Sequence, residues 1–163
     1  PDMTILENMS MAEHKGKIFG LQRGTNRKKI PEYREQLAQL GLGLEDKMQV
    51  KVGALSGGQR QALSLLMSVM TPVEFLILDE HTAALDPKTA DIIMQLTDRI
   101  VKEKKLTAIM VTHNLRYAAE YGDRLVMMHQ GKAVMDMKGE KKQKVQIDDI
   151  LGKFNEISIE CGN

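Results

Sequence analysis

Tryptophan is absent from this sequence, and cysteine occurs once, at Cys161. A single cysteine excludes an internal disulfide framework and fits a reducing compartment, so Cys161 reads as an ordinary thiol. No apolar run approaches the ~18 residues of a membrane-spanning helix. The longest, such as Phe75 to Leu78, have the length of a strand, and no secretory pattern is visible. An excess of one charge is missing too. With 23 basic and 22 acidic residues the net charge is +1, which speaks against a nucleic-acid partner. Two local basic clusters, Arg23 to Lys29 and Lys138 to Lys144, read as solvated loops or helix ends. The first residue is Pro1 rather than Met, and the chain is expected to be a piece of something longer.

What remains is a chain of 163 residues, 42% hydrophobic, enough for one domain or a large part of one. Its 12 Met read as adaptable core filler, not as metal ligands. Helical spacing runs from Thr4 to Met11, and Gly16, Gly20 and Gly24 break it. Pro31 is suited to a first helical residue, and Tyr33, Leu37 and Leu40 share a face before Gly41 and Gly43 stop the helix. A loop leads to about Ala54.

From there the pattern alternates. Gln59 to Met70 is helical. Phe75 to Leu78 is a continuous apolar run of the kind found in buried parallel strands. Asp86 is a plausible N-cap and Pro87 a first residue for a helix reaching about Lys104. Leu106 to Val111 is a second strand, and Leu115 to Tyr121 a short helix. Arg124 to His129 and Lys132 to Asp136 are strands around a Gln130-Gly131 turn, and residues 147–154 form a last short helix. Strand, helix, strand, helix, strand predicts an α/β parallel sheet with right-handed crossovers, preceded by a helical piece.

Three clusters carry chemistry. In Leu55-Ser56-Gly57-Gly58-Gln59, two glycines at a helix start allow close backbone approach, and the helix N-terminus favours an anion. The same residues equally read as a plain Ser N-cap beside a turn. Asp79 and Glu80 follow the Phe75 strand, at the strand end where ligands bind in open α/β sheets. Asp79 is placed to hold Mg²⁺ through water, and Glu80 to accept a proton from, or orient, an attacking water. Strand ends also meet acidic loops for no chemical reason. His113, after the strand ending at Val111, can hydrogen-bond a phosphate oxygen, or be structural.

Taken together, their order and spacing are distinctive. In Leu55 to Gln61 (LSGGQRQ), Gln59 stands twenty residues ahead of Asp79, Ala83 to Asp86 follow, and His113 lies thirty-three residues after Glu80. The chain resembles the nucleotide-binding domain of ABC (ATP-binding-cassette) proteins over essentially its whole length. Leu55 to Gln61 is similar to the signature motif, Phe75 to Glu80 to the Walker B strand and its glutamate, Ala83 to Asp86 to the D-loop, and His113 to the switch histidine. The resemblance implies an α/β fold, the C-terminal part of a P-loop NTPase (RecA-like) ABC domain. Residues 1–71 would be the helical subdomain with the signature helix, and residues 72–163 the C-terminal part of the ATPase core.

The roles it implies follow by position. Leu55, Ser56, Gly57, Gly58 and Gln59 would form the loop that contacts the γ-phosphate of ATP held by a second subunit, with Arg60 supporting it. Asp79 would hold Mg²⁺ and Glu80 would be the general base. Asp86 would link the two active sites, and His113 would contact the γ-phosphate. The implied partners are a second ATPase subunit, membrane permease subunits and, indirectly, a solute-binding protein. The implied location is cytoplasmic, at the inner face of the cell membrane. The stretch LDEHTAALDPKTA resembles a tryptophan/tyrosine-type subgroup of bacterial importers.

Three departures stand out. His81 replaces the usual Pro after the glutamate, Ala83 replaces the frequent Ser, and no phosphate-cradling Walker A loop occurs in the sequence. His81 is expected to pack rather than to touch phosphate. Without the Walker A loop the chain alone is expected not to turn over ATP. A non-transport cassette acting on ribosomes or DNA, and a truncated interaction module, are the alternatives. The absence of long coiled coils, of a second cassette and of a charged linker speaks against the first.

Overall fold

A computed structural model describes residues 1–14 and 25–160 of the chain, with side chains through residue 157. Gly16, Gly20, Gly24, Arg23 and Cys161 lie outside the described residues. Two compact units emerge, Pro1–Ile109 and Met110–Asn163.

The first unit opens with α1, Ile5–Glu13. Its start is set by a capping box: the Glu7 backbone N–H donates to Thr4 Oγ1 at 3.2 Å, and the Thr4 N–H donates to Glu7 Oε2 at 2.7 Å. Ile5, Leu6 and Met9 then share the buried face. The segment 48–52 runs beside this start, with Leu6 N–H donating to the Met48 carbonyl at 2.9 Å and Val52 N–H to that of Met3 at 2.9 Å. Helix α2, Ile30–Ala38, begins one residue before Pro31, so the proline takes the second position and still loses no hydrogen bond. Buried Tyr33 and Leu37 point inward, and Gly41 and Gly43 at φ 68° and 66° turn the chain away.

Helix α3, Gly57–Ser68, starts two residues earlier than the hydrophobic spacing suggested, because Ser56 caps it at the glycines. Strand β1, Phe75–Asp79, is not buried on both faces as its apolar run implied. Leu76 and Leu78 are buried, whereas Phe75 and Ile77 stay 48% and 66% exposed. Its hydrogen-bonded neighbour is β2, Thr107–Val111. Between them runs α4, Pro87–Glu103, whose Ala90, Ile93, Met94, Leu96, Thr97 and Ile100 form one buried stripe. Each large apolar side chain on it contributes ~2 kcal/mol by burial. The end of α4 is a Schellman motif built on Lys105 at φ 52°. Leu106 N–H donates to the Val101 carbonyl at 2.9 Å and Lys105 N–H to that of Lys102 at 3.2 Å.

In the second unit, α5, Leu115–Glu120, leads to the antiparallel hairpin of β3, Arg124–His129, and β4, Lys132–Lys138. Gln130 and Gly131, at φ 47° and 75°, form the two-residue turn the sequence announced. The register shifts after Met127, which pairs with Met135, to Met128, which pairs with Ala133. Val134 is thus an extra residue, and both it and Met135 pack on the core of Met127, Val145, Ile150 and Ile157.

Two expectations need correction here. The Lys138 to Lys144 cluster is not wholly solvated, because it forms α6, Glu140–Gln143, with Lys142 buried and its Nζ donating to the Ala119 carbonyl at 2.6 Å. The last helix, α7, spans Ile147–Glu160, six residues beyond the sequence estimate.

Candidate functional site

The signature segment lies at the start of α3. Ser56 Oγ accepts from the Gln59 N–H and Gln59 Oε1 from the Ser56 N–H, both at 3.2 Å, a second capping box. Gln59 goes further, its Nε2 donating to the Leu42 carbonyl at 3.1 Å. Arg60 donates from its guanidinium to the Leu55 carbonyl. Leu55 is buried while Ser56 and Gly57 are exposed. The loop is therefore anchored from behind and open in front, with the N–H groups of the first turn at a helix N-terminus.

The two glycines answer to a neighbour within the chain. A Cβ on Gly57 would stand 3.2 Å from Leu85 Cδ2, and one on Gly58 only 2.3 Å from Thr89 Cγ2. Gly58 is buried against α4, so its missing side chain serves helix packing. Leu85 was read only as part of the Ala83 to Asp86 segment and Thr89 was not singled out at all, since nothing local marks a contact about thirty residues away.

Asp79 ends β1, exposed, and Glu80 follows it at φ 44°, the left-handed region that disfavours non-glycine residues. The chain then turns twice, Ala83 N–H donating to the Glu80 carbonyl at 2.9 Å and Leu85 N–H to that of Thr82 at 3.1 Å. Asp86 caps α4, its Oδ1 accepting from the Thr89 N–H at 3.0 Å. Hydrogen bonds from Thr89 hold the Asp86 carboxyl below the usual carboxylate range. The loop from β1 to α4 and the signature loop thus meet at Leu85 and Thr89.

Half-buried His81 sits inside this loop. Its Nε2 lies 3.1 Å from Thr97 Oγ1 on α4, and burial pushes its pKa below the ordinary histidine value. It packs, as the sequence reading expected, and Thr97 is the partner that reading missed. The available signal was a lone hydroxyl in the apolar stripe of α4.

His113 belongs to the second unit and is exposed. It is followed by an ordered helix start. Asn114 N–H donates to Thr112 Oγ1 at 3.1 Å, and Asn114 Oδ1 accepts from the N–H groups of Arg116 and Tyr117 at 3.0 and 3.3 Å.

Among the described residues, no group of three or more His, Cys, Asp or Glu gathers as a metal cage. Asp79 offers one exposed carboxylate at a strand end. That donor set suits Mg²⁺, which keeps several waters and takes one or two carboxylates plus phosphate oxygens.

Solved structures place the fold. An ATP-binding cassette of an ABC transporter in its ADP conformation matches with a TM-score of 0.74 at 24% identity, over 99% of this chain and 64% of that one. A nucleotide-free ATP-binding cassette from an ABC transporter matches with a TM-score of 0.72 at 23% identity, over the same shares. The fold is that of an ABC ATPase domain, of the α/β P-loop NTPase kind. The sequence profile of ABC transporters matches residues 1–83, and the chain belongs to that family.

Among its relatives, the tyrosine transport ATP-binding protein of Clostridioides difficile is 48% identical over 154 residues, 94% of this chain and 61% of the relative. The xylose/arabinose import ATP-binding protein of Sulfolobus acidocaldarius is 33% identical over 156 residues, 94% of this chain and 59% of the relative. The chain therefore spans about three fifths of the length of these relatives. Among the described residues, no helix is long and apolar enough to cross a membrane.

Proposed function

We propose that this chain is the signature and Walker B portion of an ATP-hydrolysing subunit that powers solute import through a membrane permease, working at the cytoplasmic face of the cell membrane. What supports this most is the junction at Leu85 and Thr89. It fastens the exposed signature loop to the loop carrying Asp79, Glu80 and Asp86. A head-to-tail dimer with ATP between subunits needs such a body, able to receive one nucleotide's phosphates while acting on another's.

In that assembly Ser56, Gly57 and Gly58 turn a hydroxyl and helix-start N–H groups toward the γ-phosphate held by the second subunit. Asp79 would hold Mg²⁺, which when bound would supply charge neutralisation at the phosphates. Glu80 orients the attacking water and accepts its proton. His113 donates to a γ-phosphate oxygen. Asp86 caps α4 and carries the junction's state from one site to the other. The LDEHTAALDPKTA segment and the 48% identity to a tyrosine transport protein favour an aromatic amino acid as solute, delivered by a solute-binding protein.

The test is Glu80→Gln in the complete subunit, reconstituted with its permease. ATP turnover and tyrosine uptake both fall about a hundredfold or more, while ATP-driven dimerisation persists. Sustained turnover in that variant removes Glu80 as the base. Full ATP turnover without tyrosine uptake in the native transporter removes the solute assignment.

A further inference from the structure

Glu80 holds its left-handed backbone in the middle of a short loop. Such a conformation persists when its surroundings over-determine it. The two backbone turns at Ala83 and Leu85 are local and join the loop only to itself. His81 joins it to another element, through the 3.1 Å approach of Nε2 to Thr97 Oγ1. The direction of that bond is fixed. Thr97 Oγ1 has one proton, and it donates to the Ile93 carbonyl at 2.8 Å, an acceptor only. Thr97 must therefore accept from His81, whose Nε2 carries the ring proton.

The loop from residue 80 to residue 86 is thereby tied to α4 twice. Asp86 caps its N-terminus, and His81 grips it about three turns further on, at Thr97. The family's usual proline at this position fixes its own backbone by a covalent ring. Here a ring fixed to a helix takes its place.

We propose that His81 is a positioning residue for Glu80: its hydrogen bond to Thr97 bolts the turn after β1 to α4 and sets where the Glu80 carboxylate is presented. This rests on the reading of Glu80 as the base. Losing the bond slows the chemical step and leaves nucleotide affinity alone, because the signature loop keeps its own anchors at Leu42, Leu55 and Leu85 when His81 lets go of Thr97.

The experiment measures kcat and KM for ATP in the complete subunit. His81→Phe and Thr97→Val each lower kcat about tenfold with KM within about twofold, and the double variant is no slower than either single one. His81→Gln and Thr97→Ser, which keep the donor and the hydroxyl, stay within about threefold of the native kcat. A Thr97→Val or His81→Phe enzyme with native kcat overturns the proposal. So do fully additive losses, or a raised KM at unchanged kcat. If Thr97→Val melts below the assay temperature, His81→Phe, which lies in the loop and not in the helix, decides alone. Glu80→Gln in the same assay separates the two failures. A dead Glu80→Gln beside a native-like His81→Phe sinks only the positioning role, and an active Glu80→Gln sinks the base itself.

Discussion

Gly58 shows how one residue can serve a purpose besides the one its motif advertises. In sequence, two glycines at a helix start suggest backbone approach to a ligand. In space, Gly58 gives α4 room, with Thr89 Cγ2 where its Cβ would be. Gly58→Ala is expected to destabilise the protein by ~1–3 kcal/mol through overpacking. Adding Thr89→Ser, which removes Cγ2 but keeps the backbone donor to Asp86, should return most of that loss. Urea unfolding midpoints of the single and double variants check both statements. Ser56 and Asp86 were legible as caps because capping is a matter of residues three apart. Thr89 and Thr97 were not, because their partners lie in other elements and sequence distance hides them.

At the scale of elements, the existence of the longer helices was readable while their limits, and the short α6, were not. Apolar spacing located α3, but Ser56 and Gln59 fixed its true start at the glycines. The sequence also missed the bulge at Val134, since an inserted residue breaks the alternation by which strands are recognised. A similar long-range tie joins α1 to α2: Glu13 on α1 accepts from Tyr33 Oη on α2 at 2.5 Å and from Lys29 just ahead of it. Burial alone would raise the Glu13 pKa, yet these two donors outweigh it and hold the carboxyl below its ordinary 4.5. A carboxylate with a depressed folded pKa stabilises fully above the unfolded value, and that contribution fades as pH falls through the folded one. The stability advantage of the native protein over Glu13→Gln should therefore be largest near pH 7 and shrink below about pH 4.5. Denaturant midpoints of both proteins across that range would show the two curves converging, and parallel curves would refute the assignment.

For the whole molecule, the alternation of strands and helices announced an α/β fold, because alternation depends on composition and period, whereas the ABC ATPase class came from the resemblance of the motifs at Leu55 to Gln61, Phe75 to Glu80, Ala83 to Asp86 and His113. The third strand of that alternation did not join a parallel sheet, since β3 pairs antiparallel with β4. The sequence pattern also misjudged exposure. Phe75, Ile77 and Ile109 are apolar strand residues, yet each is about half exposed or more. Periodicity records which side chains are apolar, and the covering of a sheet face depends on what else is packed there. The opposite error befell Lys142, a charge taken for surface that is buried on the Ala119 carbonyl, with its aliphatic stem inside.

The left-handed turn at Glu80 also has a bearing on durability. A non-glycine residue there costs ~1–2 kcal/mol relative to ordinary backbone, and glycine relieves most of it at a smaller entropic loss. Glu80→Gln keeps the same backbone cost, whereas Glu80→Gly sheds it together with the carboxylate. Both enzymes should be dead, but the glycine form should melt at or above the glutamine form in calorimetry. Selection on persistence alone would favour glycine at this position, so, with Glu80 as the proposed base, the glutamate trades shelf life for turnover.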